Sequence, residues 1–173
     1  MKTLNDQLSQ YAAYHRDRRN IATHFVGIPM IVLAVVVLLA RPSFEFAGLV
    51  LSPASLAVVA ATQYYLRLDL RFGFAMAFFL GICLAGAQAT AGLSTGAWAT
   101  WGVGLFVVGW VIQFVGHVFE GRKPAFVDDI MGLIIGPLFV VAELAFLLGL
   151  RREVEAVVVA RAGPVHGGGA LVK

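Results

Sequence analysis

A run of 48 residues, residues 72–119, contains no Asp, Glu, Lys or Arg. In an average soluble protein about a quarter of the residues are charged, so a run of this length is typical of a membrane protein. A membrane-spanning helix needs about 20 apolar residues, and the run is therefore long enough for two crossings. The sequence Gly-Leu-Ser-Thr-Gly at residues 92–96 is the turn signal that divides it.

Three further segments are apolar. Residues 20–40 and 46–66 are 21 residues each and uncharged, and residues 130–150, also 21, contain only Glu143. The chain as a whole is 60% hydrophobic and 13% charged. We therefore predict an all-α, polytopic membrane helix bundle with four to five hydrophobic segments. An amphipathic interfacial helix is expected within residues 1–21. Residues 1–150 are expected to form one membrane-embedded domain, and residues 151–173 a flexible C-terminal tail.

The last apolar segment is predicted to be a re-entrant hairpin or a strongly broken helix. A single crossing would place Arg151, Arg152 and Arg161 outside the cytoplasm, against the positive-inside rule. Gly136-Pro137, in the middle of the segment, would allow the chain to turn back. In that arrangement Glu143 would face the protein core rather than lipid.

A polar stripe occupies residues 110–125, whose sequence is W-V-I-Q-F-V-G-H-V-F-E-G-R-K-P-A. At about 100° per residue, Trp110, Gln113, His117 and Glu120 fall within roughly 80° of one another. His117 and Glu120 can form an ion pair or bind one metal, because residues at i and i+3 are neighbours on a helix. Polar groups in an apolar helix are costly unless paired, so the stripe should face protein, a cavity or a metal.

The N-terminal segment contributes His15, Asn20 and His24. Asn20 and His24 share one helix face, whereas His15 and His24 would point in opposite directions, about 180° apart, on an unbroken helix. Both histidines can serve one site only if the chain bends between them. We therefore predict a bend near residues 17–21, where the interfacial helix turns into the first span.

The basic residues predict the orientation of the chain. Four lie within residues 1–22, one in the first loop, two in the second, none in the third and two in the fourth. The positive-inside rule then places the N-terminus and the second and fourth loops in the cytoplasm. The polar residues that this orientation brings to the same membrane face are His15, His24, His117 and Glu120.

Three imidazoles and a carboxylate at one depth suit a first-row transition metal. Two histidines and one carboxylate with open positions are typical of non-haem Fe(II) oxygenases, and three histidines also suit zinc. The alternative is purely structural: His117 pairs with Glu120 within the helix, and His24 hydrogen-bonds to Asn20.

These motifs resemble the Mpo1-like family, small membrane proteins formerly grouped as a domain of unknown function. The resemblance covers about residues 8–148 and rests on Tyr14-His15, Asn20, His24, Gly27, Pro29, the stripe at 110–125, and Gly136-Pro137-Leu-Phe-Val. The characterised member of this family is an Fe(II)-dependent dioxygenase. It shortens long-chain 2-hydroxy fatty acids by one carbon, an α-oxidation step in phytosphingosine breakdown.

The resemblance implies a catalytic domain with Fe(II) bound by His15, His24 and His117, and a long-chain 2-hydroxy fatty acid and molecular oxygen as partners. It also suggests roles for the polar residues nearby. Glu120 would be a fourth ligand or support an imidazole, and Asn20 and Gln113 would hydrogen-bond to substrate or oxygen. Arg19 and Lys123 would attract the substrate carboxylate, although a topogenic or lipid-headgroup role explains each charge more simply. Residues 151–173 receive no catalytic role.

Two other classes of function stay open from the residues: a membrane haem protein, and a non-enzymatic membrane scaffold or lipid-binding protein. The net charge of +3 is attributed to topology and membrane lipids, and no nucleic-acid partner is expected. The oligomeric state is left open. A bacterial inner membrane is favoured, with the N-terminus and the metal site at the cytoplasmic face.

Overall fold

The computed structural model describes residues 2–167, except for the side chains of Leu49 and Val50. Helices dominate this part of the chain, which confirms the all-α prediction. The elements are α1 (Leu4–Ala12), α2 (Arg18–Ala40), β1 (Phe44–Phe46), β2 (Leu49–Leu51), α3 (Pro53–Leu68), α4 (Leu70–Ala91), α5 (Thr95–Glu120), α6 (Gly132–Leu147) and α7 (Arg152–Ala162), with a short 3₁₀ turn at Ala125–Val127. The two strands form an antiparallel hairpin.

Three helices, α2, α4 and α5, are long and apolar enough to cross a membrane. Helices α6 and α7 meet at a bend of 114° and add a fourth crossing if they are counted as one broken span. The outer faces of these helices expose large apolar side chains, such as Phe78 at 74% and Val118 at 77%. Exposed apolar surface on this scale is what a lipid-facing bundle presents. The chain is therefore a membrane protein.

The backbone divides into two compact units. One comprises the chain up to Ile28 and the chain from Val111 onwards, and the other is Pro29–Trp110. In the second unit α3 packs against α4, and the core includes Val37, Ala54 and Cys83. In the first unit α1 packs against α6 and α7. The histidines of interest all belong to the first unit.

The predicted bend between His15 and His24 is present. Helix α1 ends at Ala12 and α2 begins at Arg18, so residues 13–17 form a corner between them. The corner lies about four residues before the predicted position. A Thr3–Asp6 capping box begins α1 and fixes the start of this helix.

The prediction of a break at Gly136-Pro137 is wrong, because α6 runs through both residues. Gly136 allows a close helix approach instead of a turn. A Cβ at this position would lie 2.9 Å from Tyr11 Oη and 3.2 Å from Ile28 Cδ1. The chain turns after α6, where Gly149 and Arg151 adopt positive φ angles of 71° and 56°.

The segment after residue 150 is more ordered than the predicted tail. Residues 152–162 form α7, which packs against α1. Arg161 Nη1 on α7 donates to Asp6 Oδ1 on α1 at 2.7 Å. Residues 168–173, the end of the predicted tail, lie outside the described residues.

Candidate metal centre

Three histidines from three segments converge in the first unit. His15 lies in the corner, His24 in the second turn of α2, and His117 in the last turn of α5. One nitrogen of each lies within 4.8 Å of the others. The three side chains are buried, at 0%, 1% and 7% exposure respectively. The charge-based topology predicted this convergence, although the helices are distant in sequence.

Hydrogen bonds fix the orientation of two of the imidazoles. His15 Nδ1 lies 2.8 Å from the Tyr11 carbonyl oxygen, and His24 Nδ1 lies 2.8 Å from the Asn20 carbonyl oxygen. A carbonyl can only accept, so each Nδ1 carries the proton and each Nε2 keeps its lone pair. Histidines that bind a metal are commonly oriented by such a hydrogen bond from the other ring nitrogen.

The cluster contains buried nitrogens for which the described residues provide no hydrogen-bond partner. His15 Nε2 and His117 Nδ1 are both buried without a hydrogen bond. Buried polar atoms are normally paired, so two unpaired nitrogens in one cluster require an explanation. A divalent metal ion bound by the three imidazoles would provide it, and the donor set suits iron or zinc.

Burial also favours the protonation state that a metal needs. Removal from water lowers the pKa of His15 well below its usual value, and the neighbouring His24 imidazole lowers it further. His15 is therefore neutral at physiological pH. A metal ion can therefore bind His15 Nε2 without displacing a proton from it.

Aromatic rings form the wall behind His15. The Tyr11 ring stacks on the imidazole at a centroid distance of 4.2 Å and an interplanar angle of 4°. Phe139 on α6 lies 5.5 Å from the same imidazole. These contacts hold the plane of His15 and exclude water from that side. Sequence reasoning missed both rings, although Tyr11 lies one helical turn before His15.

Glu120 lies against the corner, outside the group of three converging histidines. Its carboxylate accepts from Arg16 N at 2.9 and 3.0 Å, from Asp17 N at 2.8 Å, and from Asn20 Nδ2 at 2.9 Å. Its oxygens thus hold the backbone that carries His15 and the residue whose carbonyl accepts from His24. This contact set supports a positioning role for Glu120 rather than a direct bond to metal.

Asn20 and Gln113 are both buried, at 0% and 4% exposure. Asn20 Oδ1 and Gln113 Nε2 have no hydrogen-bond partner within residues 2–167, the part of the chain that the structure describes. Gln113 precedes His117 by one helical turn, so the two side chains share a face of α5. An unpaired acceptor and an unpaired donor therefore accompany the histidines.

The two predicted carboxylate-attracting residues lie at the surface, and each already has a partner. Arg19 Nε and Nη2 donate to Asp17 at 3.1 and 2.9 Å, which lowers the pKa of Asp17 to about 2. Lys123 Nζ lies 2.6 Å from Asp128 Oδ1. Each cationic side chain is 59% exposed. Their roles in attracting substrate stay predictions.

A buried ion pair joins the corner to α6. Arg16 Nη2 donates to Glu143 Oε1 at 3.1 Å, with side-chain exposures of 6% and 11%. Glu143 faces the protein interior, as predicted. Sequence reasoning treated Arg16 only as a topogenic charge. The signal for its role was the lone carboxylate in an apolar helix, which needs a cation as partner.

Close packing of α5 against α2 depends on Gly116. A Cβ there would clash with Thr23 Oγ1 and lie 2.5 Å from Asn20 Oδ1. We expect Gly116→Ala to lower the free energy of unfolding by about 1–3 kcal/mol, as overpacking does, and to weaken metal binding. Thermal unfolding and metal titration of the purified protein measure both effects.

Gly104→Ala is the matched control, since Gly104 lies on the same helix with no atom within 4 Å of its added Cβ. It should leave stability unchanged or raise it by up to about 1 kcal/mol. If Gly116→Ala and Gly104→Ala had the same stability and the same metal affinity, the close contact at Gly116 would be contradicted.

Comparison with known proteins links this geometry to a family. A family model described as "2-hydroxy-palmitic acid dioxygenase Mpo1-like" matches residues 1–148. A protein of Saccharomyces cerevisiae named 2-hydroxy-palmitic acid dioxygenase MPO1 is 30% identical over 158 residues, which cover 88% of this chain and 86% of the relative. No solved structure matches the chain.

Proposed function

The chain belongs to the Mpo1-like family, and we propose that it is an Fe(II)-dependent membrane dioxygenase that shortens long-chain 2-hydroxy fatty acids by one carbon. The observation that carries this proposal is the buried cluster of His15, His24 and His117, with ligand nitrogens within 4.8 Å of one another. The name of the yeast relative supplies the substrate class.

In this proposal the three histidines hold Fe(II). Two of the nitrogens, His15 Nε2 and His117 Nδ1, are buried and have no hydrogen-bond partner among the described residues. Held there by His15, His24 and His117, Fe(II) would supply the redox chemistry for cleavage of the bond between C1 and C2 of the substrate. The overall change, R–CHOH–COOH + O2 → R–COOH + CO2 + H2O, balances without an external reductant or a 2-oxoglutarate cosubstrate. The Tyr11 and Asn20 carbonyls keep His15 and His24 in the tautomer that presents Nε2.

Unpaired polar atoms beside the cluster suit the substrate head group, which carries a carboxylate and a hydroxyl. Gln113 Nε2 can donate to a carboxylate oxygen, and Asn20 Oδ1 can accept from the 2-hydroxyl, because neither atom has a partner among the residues that the structure describes. Arg19 and Lys123 attract the carboxylate to this end of the bundle before it enters. Glu120 acts through the corner, where it supports His15 and Asn20.

The same arrangement explains why such an enzyme lies in a membrane. The substrate tail belongs in hydrocarbon and its head group at the interface, and the histidines lie near the ends of α2 and α5. The positive-inside distribution of Lys and Arg favours the cytoplasmic face. We propose the inner membrane of a bacterium as the location.

The direct test is incubation of the purified protein with 2-hydroxypalmitate, Fe(II) and O2. Pentadecanoic acid should form in a ratio of one to each O2 consumed, and a chelator should prevent it. Palmitate, which lacks the 2-hydroxyl, should give no product. Absence of pentadecanoic acid from the iron-loaded protein would refute the proposed reaction.

The haem alternative conflicts with the spacing of the rings. The imidazole centroids lie 4.4, 5.0 and 5.2 Å apart, which leaves no room for a porphyrin between any two of them. Purified protein should therefore show no Soret band. A scaffold would instead contain no stoichiometric metal after expression in iron-sufficient cells.

A further inference from the structure

The C-terminal segment reaches back to the corner that carries His15. We call residues 163–167 the strap; they follow α7 and lie beyond residues 1–148, which the family model matches. His166 N donates to the Arg16 carbonyl oxygen at 2.8 Å, and Arg18 N donates to the His166 carbonyl oxygen at 2.8 Å. This parallel bridge pairs the strap with the backbone on both sides of Asp17.

The end of the strap is fitted closely to Asp17. A Cβ at Gly167 would lie 3.1 Å from the carboxyl carbon and both oxygens of Asp17, and Gly167 adopts a φ of +96°. A side chain at position 167 would therefore be strained by its backbone and would press on the carboxylate. Only glycine allows the strap to follow the corner so closely.

The Arg16 guanidinium connects the strap to the metal-site histidine. Its Nε donates to the Ala12 and His15 carbonyl oxygens, each at 2.9 Å. Its Nη1 donates to the Gly163 carbonyl oxygen at 3.2 Å, and its Nη2 to Glu143. The side chain is 6% exposed. One buried cation thus joins the strap, α6, the end of α1 and the backbone of His15.

The corner is consequently held from two sides. Glu120 accepts from the N–H groups of Arg16 and Asp17, and the strap pairs with the Arg16 carbonyl and the Arg18 N–H. Buried backbone groups need such partners. His15 itself lies in no helix, so its position depends on these contacts more than the positions of His24 and His117 do.

We propose that the strap and Arg16 position His15 in the metal centre. The inference rests on the metal centre of the proposed function and adds a role for a segment outside the matched family region. Arg16 and Gly167 are positioning residues that touch neither metal nor substrate. Loss of their contacts lets the corner move and displaces His15 from the other two imidazoles. Partners that orient metal ligands typically change affinity about 10–100-fold when they are removed.

The test uses Co(II) as a spectroscopic probe of the full-length protein. Its d–d absorption reports the geometry and number of the nitrogen ligands, and titration gives the affinity without any assay of activity. Two variants are compared with wild type. Arg16→Lys keeps the charge but cannot make the four donor contacts of the guanidinium, and Gly167→Val forces the strap away from Asp17.

Matched controls separate positioning from general damage. Gly48→Val places the same side chain at a residue with φ +75° and no atom within 4 Å. Arg152→Lys makes the same exchange at an exposed arginine whose Nε donates to the Gly149 carbonyl oxygen at 3.2 Å. Circular dichroism of all variants checks that they are folded.

Wild type and both controls should share one Co(II) spectrum and one affinity. Arg16→Lys and Gly167→Val should bind Co(II) about tenfold or more weakly, with an altered d–d band. If wild type binds Co(II) and both variants show the same spectrum and affinity as wild type, the positioning role is wrong. The proposed metal centre is unaffected by that result. Wild type that binds no Co(II) would overturn both. Should Arg16→Lys fail to fold, Gly167→Val decides alone, since it acts only through the strap.

Discussion

His117→Ala should leave the protein folded but without stoichiometric iron, and should reduce conversion of 2-hydroxypalmitate by more than about 100-fold. The reason is that His117 supplies one of three converging nitrogens. Removing even a residue that only orients a ligand typically lowers metal affinity or activity about 10–100-fold. Metal content by mass spectrometry and product formation by chromatography measure the two effects. His15→Ala and His24→Ala should behave alike.

Cys83→Ala is the matched control for ligand removal. Cys83 is a buried free thiol, hence another residue type that binds iron or zinc, but it belongs to the other unit of the fold. It should retain full metal content and activity. A His117→Ala protein that keeps both its iron and its activity would refute the three-histidine centre.

Glu120→Ala should destabilise the protein even when no metal is bound. The substitution removes the carboxylate that accepts from the Arg16 N–H, the Asp17 N–H and Asn20 Nδ2. Asn20 Nδ2 keeps a longer contact, 3.4 Å, to the Tyr14 carbonyl oxygen. Hydrogen bonds to a charged group contribute about 1.5–3 kcal/mol each, but neighbouring bonds are not additive, so we expect a loss of roughly 2–4 kcal/mol. The Tm of the chelator-treated protein should fall by on the order of 10 °C.

Comparison of variants distinguishes support of the corner from a bond to metal. Glu120→Gln keeps one acceptor oxygen, so the stability of this variant should lie between that of wild type and that of Glu120→Ala. Glu45→Ala, at an exposed residue of the hairpin, should change stability by no more than about 0.5 kcal/mol. Suppose that Glu120→Ala, measured without metal, unfolds at the same temperature as metal-free wild type but no longer binds the metal. Glu120 would then be a metal ligand, and the positioning role would be wrong.

The polar stripe illustrates what helical periodicity can predict. Gln113 and His117 share a face, as their spacing requires, and both are buried. The same spacing shows that Glu120 can approach His117, but the carboxylate binds backbone groups of Arg16 and Asp17 instead. Those donors are about a hundred residues away in sequence, and no local pattern indicates them.

The last apolar segment illustrates a local pattern that predicted the wrong structure. Gly136-Pro137 reads as a turn because proline disrupts helices and glycine allows turns. In the folded protein α6 continues through both residues, and Gly136 lies close to Tyr11 and Ile28. A glycine that permits a turn and a glycine that permits close packing look the same in sequence. Only the neighbouring helix distinguishes them.

The sequence predicted the membrane class, the helical architecture, the bend between His15 and His24, and the three histidines that converge in the structure. Each follows from composition, from the fixed rise and rotation of a helix, or from a motif. The partners of Glu120, the ion pair of Arg16 with Glu143 and the return of the strap to the corner are visible only in the folded chain. These contacts join segments distant in the chain, and their partners are chosen by packing distances that local sequence patterns do not encode.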